Sequence, residues 1–392
     1  MTDELLSPAQ RFSRRELMRR GVLGGAAVAL TPSLLAPLEG SAAAASTATL
    51  ASGTINFFSW QGYDLLDEPT VKAWRKKNGV TVHSTYVNTH NDITAKFTAG
   101  GGKGIYNLST YEAGYGPFYV GLDIPQPLDL SKIPNFKNAH PLFRSGAIAN
   151  KWWHFKGHQW AVPFTWGIQG INYQSDKIKA PTSYRDLLEP QFKKKFGVTD
   201  DPVAAIVIGA HATGIFRADS LYTHAQLSKI IAFWKTLKAN ARLIVPSYGN
   251  MGDLFASGEI LAATPGWAAV NSFAASKGDH AVKHVAPKEG SATFCDAFFI
   301  PNGAKDTDVV YAYINEAFSL EAQAQEAQAL VQAAVCPGAV KLMDKATRSL
   351  YPYGQLTQIL TKAAPLEVIP ANVPKGYATF ADWNKAWEKF KA

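Results

Sequence analysis

Along the chain, short runs of alternating apolar and polar residues take turns with longer stretches whose apolar positions recur every three or four residues. Residues 54–60 ("TINFFSW") are the first such run, and the turn-like Gln61-Gly62 that follows predicts a short strand ending there. "DEPTVKAWRKKNG" then carries helical spacing closed by Asn78-Gly79, and the alternating segment 80–87 predicts the next strand. A glycine-rich loop at 100–104, an apolar stretch at 106–111 and the hairpin-like "KWWHFKGHQWAVPFTWG" lead into "GINYQSDKI". "AQLSKIIAFWKTLKAN" predicts a helix, and "DTDVVYAYINEAFSLEAQAQEAQALVQAAV" one long helix or a broken pair. Strands alternating with helices predict an α/β fold in layers. No internal repeat and no linker rich in Pro, Gly or Ser divides the chain, so two lobes must be interwoven rather than sequential.

The first 45 residues have a different pattern. A basic stretch passes into an apolar one and then into alanines, the arrangement of an export signal. Ser13-Arg14-Arg15-Glu16-Leu17-Met18-Arg19 resembles the twin-arginine consensus. The alternative is a membrane anchor, but Gly24, Gly25 and Pro32 interrupt the apolar run, and a spanning helix needs about 20 apolar residues. Ala43-Ala44-Ala45 predicts cleavage before Ser46, which puts the mature protein in the periplasm or another extracytoplasmic space.

With 392 residues, 47% of them hydrophobic, the chain has ample material for a core and is not disordered. Its 39 Lys and Arg against 31 Asp and Glu leave a modest excess spread along the sequence. The two local clusters, "RKKNG" and "FKKKFG", read as solvated helix ends or turns, so no nucleic-acid partner is expected. Hydrolase, zinc-protease, P-loop and dithiol motifs do not occur. His154 and His158 have helical ligand spacing but fall on a predicted hairpin, where they do not converge, and "GGGKG" has no P-loop serine or threonine after it. Neither metal, cofactor nor catalysis is therefore expected, and an exported enzyme is the weaker alternative.

The candidate chemistry lies at strand ends. Trp60 and Tyr63 close the first strand, Asp200 and Asp201 follow 196–199, and Trp267 follows another short apolar run; α/β sheets place ligands at such ends. Asp296 stands out within "SATFCDAFFIPNGAKD", because an unpaired charge among apolar strand residues costs several kcal/mol, roughly, unless something cationic or hydrogen-bonding meets it. A protein group, a backbone turn that it caps, or a ligand must supply that partner.

The segments "INFFSWQGYD", "STYVNTHNDITAKF", "VPFTWGIQGINYQSDKI", "SYRDLLEPQFKKKFGVTDD", "FASGEILAATPGWAA" and "VAPKEGSATFCDAFFIPNGAKD" occur in an order that resembles the substrate-binding proteins of ABC importers, in particular the spermidine/putrescine branch. The resemblance runs from Thr54 to Lys391. It implies a type II periplasmic-binding-protein fold, with residues 54–163 plus 297–337 as one lobe and 164–295 plus 338–392 as the other. Crossing strands near 162–167, 295–296 and 336–340 would join the lobes around a ligand cleft. By the same resemblance Trp60, Tyr63, Asp201, Trp267, Phe294 and Asp296 line that cleft, with Asp296 receiving a ligand ammonium. The ligand is then an amine-containing solute, the partner an importer's permease subunits, and the binding protein a monomer.

Departures from the family pattern also matter. Ala204 stands where polyamine binders often have glutamate, and Cys336 where a tyrosine precedes the proline of the last crossing. Glu112 and Gly114 replace the usual serine and tyrosine. One end of the cleft is thus rebuilt, and another small organic solute or a metal chelate stays open as ligand. Cys295 and Cys336 would both lie near the hinge in an oxidising compartment, where a disulfide between them could form.

Overall fold

The computed structural model describes residues 52–87, 90–363, 365–366, 368–370 and 373–392; the expected export signal lies outside them. The strands, in chain order, are β1 (Gly53–Ser59), β2 (Val80–Tyr86), β3 (Leu108–Glu112), β4 (His154–Phe155), β5 (His158–Gln159), β6 (Val162–Ile168), β7 (Gly170–Gln174), β8 (Phe196–Thr199), β9 (Leu243–Val245), β10 (Ala262–Gly266), β11 (Val282–Val285), β12 (Thr293–Phe299) and β13 (Ala333–Ala334). They form a six-stranded sheet in the order β13-β6-β12-β3-β1-β2, a five-stranded sheet in the order β11-β7-β10-β8-β9, and the β4–β5 hairpin. Each large sheet mixes directions. β1 runs parallel to β2 and β3 while β12 runs antiparallel to β3 and β6; β8 runs parallel to β9 and β10 while β7 opposes β10 and β11.

Local chemistry explains the elements. The helix Pro69–Asn78 starts with proline, whose missing N–H is no loss in a first turn, and ends with Arg75, Lys76 and Lys77 against the negative end of the helix dipole. Gly79 takes φ 65° and donates its N–H to the Arg75 carbonyl, so "RKKNG" is a helix end. The long segment after Asp306 is a broken pair, Thr307–Ala317 and Leu320–Leu330, because Ser319 caps the second helix by accepting from the Ala322 N–H. The helix Pro202–Ala212 is buried on nearly every face, which accounts for its uniformly apolar composition.

Each sheet has its own core. Phe57, Trp166, Phe298 and Ile314 belong to the first, together with Leu356, Leu366 and Ile369. Val198, Ile206, Trp234, Trp383 and Phe390 belong to the second, which the terminal helix Phe380–Lys391 covers. The expected lobe boundaries shift accordingly. β6 and β12 lie wholly in the first sheet, so the chain crosses at Gln169, between β6 and β7, and again over 286–292, between β11 and β12. Residues 336–340 are not a crossing, because Leu366 and Ile369 still bury apolar surface in the first core, whereas Ala378 belongs to the second. The first two crossings are tied together: the Gln169 N–H donates to the Ala292 carbonyl at 2.8 Å and the Ser291 hydroxyl to the Gln169 carbonyl at 2.5 Å.

The possible Cys295–Cys336 bridge is corrected by strand order. Both thiols are free and buried. β6 runs between β12, which carries Cys295, and β13, which precedes Cys336. Ala333, the β13 residue in register with Cys295 through Trp166, is thus two strand spacings away, about 9.6 Å, beyond the roughly 7 Å that a disulfide spans between Cα atoms, and Cys336 follows it on the far side of β6. Alkylation of unreduced, denatured protein is expected to label both cysteines, and a mass with neither labelled contradicts this packing.

Candidate functional site

Asp296 sits in the middle of β12 with 4% of its surface exposed. Its register neighbours are Thr165 on β6 and Glu112 on β3. The Tyr63 hydroxyl donates to Asp296 Oδ2 at 2.7 Å and accepts from the Gln332 side-chain amide at 3.0 Å, and Thr165 Oγ1 donates to Gln332 Oε1 at 2.9 Å. This chain orients Tyr63 but brings one neutral donor to the carboxylate. No Lys or Arg pairs with Asp296 among the described residues. Burial accordingly pushes its pKa from 3.8 to about 7, only partly offset by the Tyr63 hydrogen bond.

Aromatic groups stand on the same and neighbouring elements. Trp60 follows β1 and meets His90 edge-on at 5.3 Å, and His90 stacks on Tyr115 at 3.9 Å. Burial lowers the His90 pKa to about 3, so the imidazole is neutral at physiological pH. Its Nε2 stands 4.0 Å from Glu112 Oε2. Phe294 lies across Gly167, its register partner on β6; a Cβ at Gly167 would fall 2.2 Å from Phe294 Cζ, so glycine there makes room for the ring.

The second lobe contributes Trp267, Tyr248 and Asp201. Trp267 meets Phe294 edge-on at 5.1 Å and Tyr248 at 6.1 Å. Its backbone is held where the Asn172 side-chain amide donates to the Trp267 carbonyl at 3.0 Å, and Gly266 lets Asn172 approach, since a Cβ there would fall 2.1 Å from Asn172 Oδ1. Asp201 caps the helix Pro202–Ala212 by accepting from the Ala204 N–H at 3.1 Å, and its other oxygen accepts from the Tyr248 hydroxyl at 2.8 Å. Burial raises its pKa against these bonds. Asp200 turns away to accept from Trp387 Nε1 and Lys391 Nζ, both at 2.8 Å, tying down the terminal helix. Val203 and Ala268 reach the first core, and Phe380 touches Tyr115 edge-on at 5.7 Å, so the two lobes are in direct contact beside these residues.

Two mixed sheets joined by paired crossings, with aromatics and buried carboxylates where the lobes meet, constitute a ligand clamp. The model of one family, described as bacterial extracellular solute-binding protein, matches residues 70–347. The chain belongs to that family.

Among curated relatives, this solute-binding protein is 29% identical over 301 residues to the putrescine-binding periplasmic protein PotF of Escherichia coli, covering 71% of this chain and 77% of that one. It is 24% identical over 369 residues to the putrescine-binding periplasmic protein SpuD of Pseudomonas aeruginosa, covering 86% and 92%. Among solved structures it is similar to the TpPotD lipoprotein of Treponema pallidum, with a TM-score of 0.70, 18% identity, and 86% and 99% of the two chains covered. A putative spermidine/putrescine ABC transporter protein of Listeria monocytogenes gives a TM-score of 0.69 at 20% identity, covering 87% and 99%. At these identities the structures establish the two-lobed α/β fold.

In the solute-binding protein, Trp60, Tyr63, Glu112 and Asp296 gather in the first lobe, and Phe294 and Trp267 meet where the lobes join. Asp201 belongs to the second-lobe wall, but its carboxylate is engaged in capping and in the Tyr248 bond. Cys336 differs from expectation: it is fully buried in the first core, beyond β6 from Asp296, and burial pushes its thiol up to about 12. The strand-end rule that picked Trp60 also covers His90 after β2 and Tyr248 after β9, residues passed over in the sequence. Gln332 bears no local mark and acquires its role only from the β13–β6 pairing. The described residues contain no helix long and apolar enough to cross a membrane.

Proposed function

We propose that this protein captures a small, polyamine-like organic cation between its lobes outside the cytoplasm and delivers it to the membrane subunits of an ABC importer. In this reading the twin-arginine signal exports the chain, cleavage occurs near Ser46, and the mature protein works as a monomer without a cofactor. One observation carries the proposal: Asp296 is a buried carboxylate with a single neutral donor, an arrangement that a ligand ammonium completes. Trp60 and Phe294 supply aromatic surface for the methylenes and the cation, and water excluded by these rings strengthens the ion pair. Trp267 and Asp201 with Tyr248 close the cleft from the other lobe. The names of the curated relatives, putrescine-binding and spermidine/putrescine-binding, support the same class of ligand.

A thermal-shift titration with putrescine, spermidine, amino acids and anionic solutes tests this. At a hundredfold excess over Kd, a cognate amine stabilises by about 2.7 kcal/mol, or roughly 3 to 5 °C for a chain of this size. A shift produced only by anionic solutes overturns the reading.

A further inference from the structure

Gln332 is buried behind the cleft wall, where a polar side chain is costly unless its hydrogen bonds are met. Both ends of its amide are used: Oε1 accepts from Thr165 Oγ1 at 2.9 Å, which leaves Nε2 to donate to the Tyr63 hydroxyl at 3.0 Å. A hydroxyl has one proton to give. Because Gln332 already donates to it, Tyr63 gives that proton to Asp296 Oδ2, at 2.7 Å. Burial and the Asp296 charge raise the Tyr63 pKa well above the usual value, while the Gln332 bond opposes the rise and makes the phenol a better donor. The backbone is bent to place this amide. The helix Leu320–Leu330 ends in a turn through Val331 at φ 53°, closed by the Gln332 N–H donating to the Ala327 carbonyl at 3.0 Å. Glycine is usual in that left-handed position, and a β-branched residue is strained there. Strain of this kind persists where the surrounding structure holds it and is concentrated at functional sites. Here the turn carries Gln332 from the helix to the start of β13, beside Thr165.

We propose that Gln332 is a positioning residue for ligand capture, one that acts through Tyr63 by committing the phenolic proton to Asp296, an inference that rests on the amine-binding reading above. Bonds donated to a carboxylate favour its ionised form, and bonds in a chain polarise one another. Loss of the Gln332 amide therefore weakens the Tyr63 donor and favours the neutral acid, from which an arriving cation must expel a proton. The other ionisable groups facing this chain are Glu112 on β3, opposite Asp296, with the neutral His90 near it, the Cys295 thiol next to Asp296 on β12, and Glu326 on the helix Leu320–Leu330, whose charge acts on Tyr63. The substitutions below keep all of them.

Calorimetry with putrescine at pH 6 and pH 8.5 tests this on wild type, Gln332→Met, Tyr63→Phe and the double variant. Gln332→Met nearly keeps the volume and removes the donor. It is expected to weaken binding about fivefold at pH 6, the size of one neutral hydrogen bond. At pH 8.5 the loss should stay below about twofold, because Asp296, with its pKa of about 7, is ionised there without help. In the Tyr63→Phe background the same substitution is expected to change nothing, since residues that act through one another are not additive. An equal loss at both pH values, no loss at either, or a full additional loss in the Tyr63→Phe background overturns the inference. If Gln332→Met does not fold, Thr165→Val decides by the same two-pH comparison, because it frees Gln332 Oε1 and with it the direction of the amide. Failure of wild type to bind putrescine defeats the amine-binding reading and the inference together, whereas putrescine binding indifferent to Gln332 defeats the inference alone.

Discussion

Asp296→Asn is expected to weaken amine binding by about 2 to 5 kcal/mol, the range for removing one member of a buried charge pair, while leaving the protein folded. Asparagine has nearly the same shape and keeps a carbonyl oxygen to accept from Tyr63, so the chain through Gln332 and Thr165 survives. Above pH 7 the unliganded variant should melt higher than wild type, because it no longer buries a carboxylate without a cation. Lost affinity with gained stability marks a residue kept for ligand rather than for fold. Calorimetry and melting curves on both proteins check this. Unchanged affinity removes Asp296 from the binding reaction, and failure to fold makes it a structural residue.

The second large effect is on pH dependence. The folded Asp296 pKa, about 7, lies above the ordinary 3.8, so the unliganded fold prefers the neutral acid. The sign follows from linkage: the associated stability is fully present below pH 3.8 and is lost as pH rises through 7. A shift of about three units corresponds to about 4 kcal/mol across that window. A bound cation reverses the preference, since it favours the carboxylate. Below pH 7 the ligand must therefore expel a proton, and affinity should fall about tenfold per pH unit, with a plateau above. With putrescine as ligand both amines stay protonated over nearly all of this range, so the slope reports the protein. Titrations from pH 5 to 8.5 in buffers of differing ionisation enthalpy measure both the slope and the proton released. A flat profile contradicts a raised Asp296 pKa linked to binding.

How far the sequence was readable depended on distance along the chain. Asp296 is conspicuous because its neighbours, Phe294 and Phe298, are apolar and buried, so its discord with the strand is local. Trp60, Trp267 and Asp201 follow short apolar runs, and the rule that ligands gather at strand ends reaches them without knowledge of pairing. Tyr63 and Asp296, in contrast, are 233 residues apart, and only the assembled sheet makes the tyrosine the donor to that acid. The crossings are hidden in the sequence for a similar reason. β6 and β12 are buried along nearly their whole length, and nothing within "VPFTWGI" or "TFCDAFF" marks where the backbone leaves one sheet for the other. Gln169, buried between β6 and β7, is the polar break that does mark it. Cys336 looked like a cleft residue by its place before a proline, but the interposition of β6 puts it behind the wall.

The most direct test of the central claim is a crystal structure of the protein grown with a saturating polyamine. The account predicts density in the cleft, with one ligand nitrogen about 2.7 to 2.9 Å from an Asp296 carboxylate oxygen, its methylenes against Trp60 and Phe294, and Tyr63 still donating to the same carboxylate. A ligand bound in the cleft with all its nitrogens turned away from Asp296, or a protein cation already seated on that carboxylate, contradicts it.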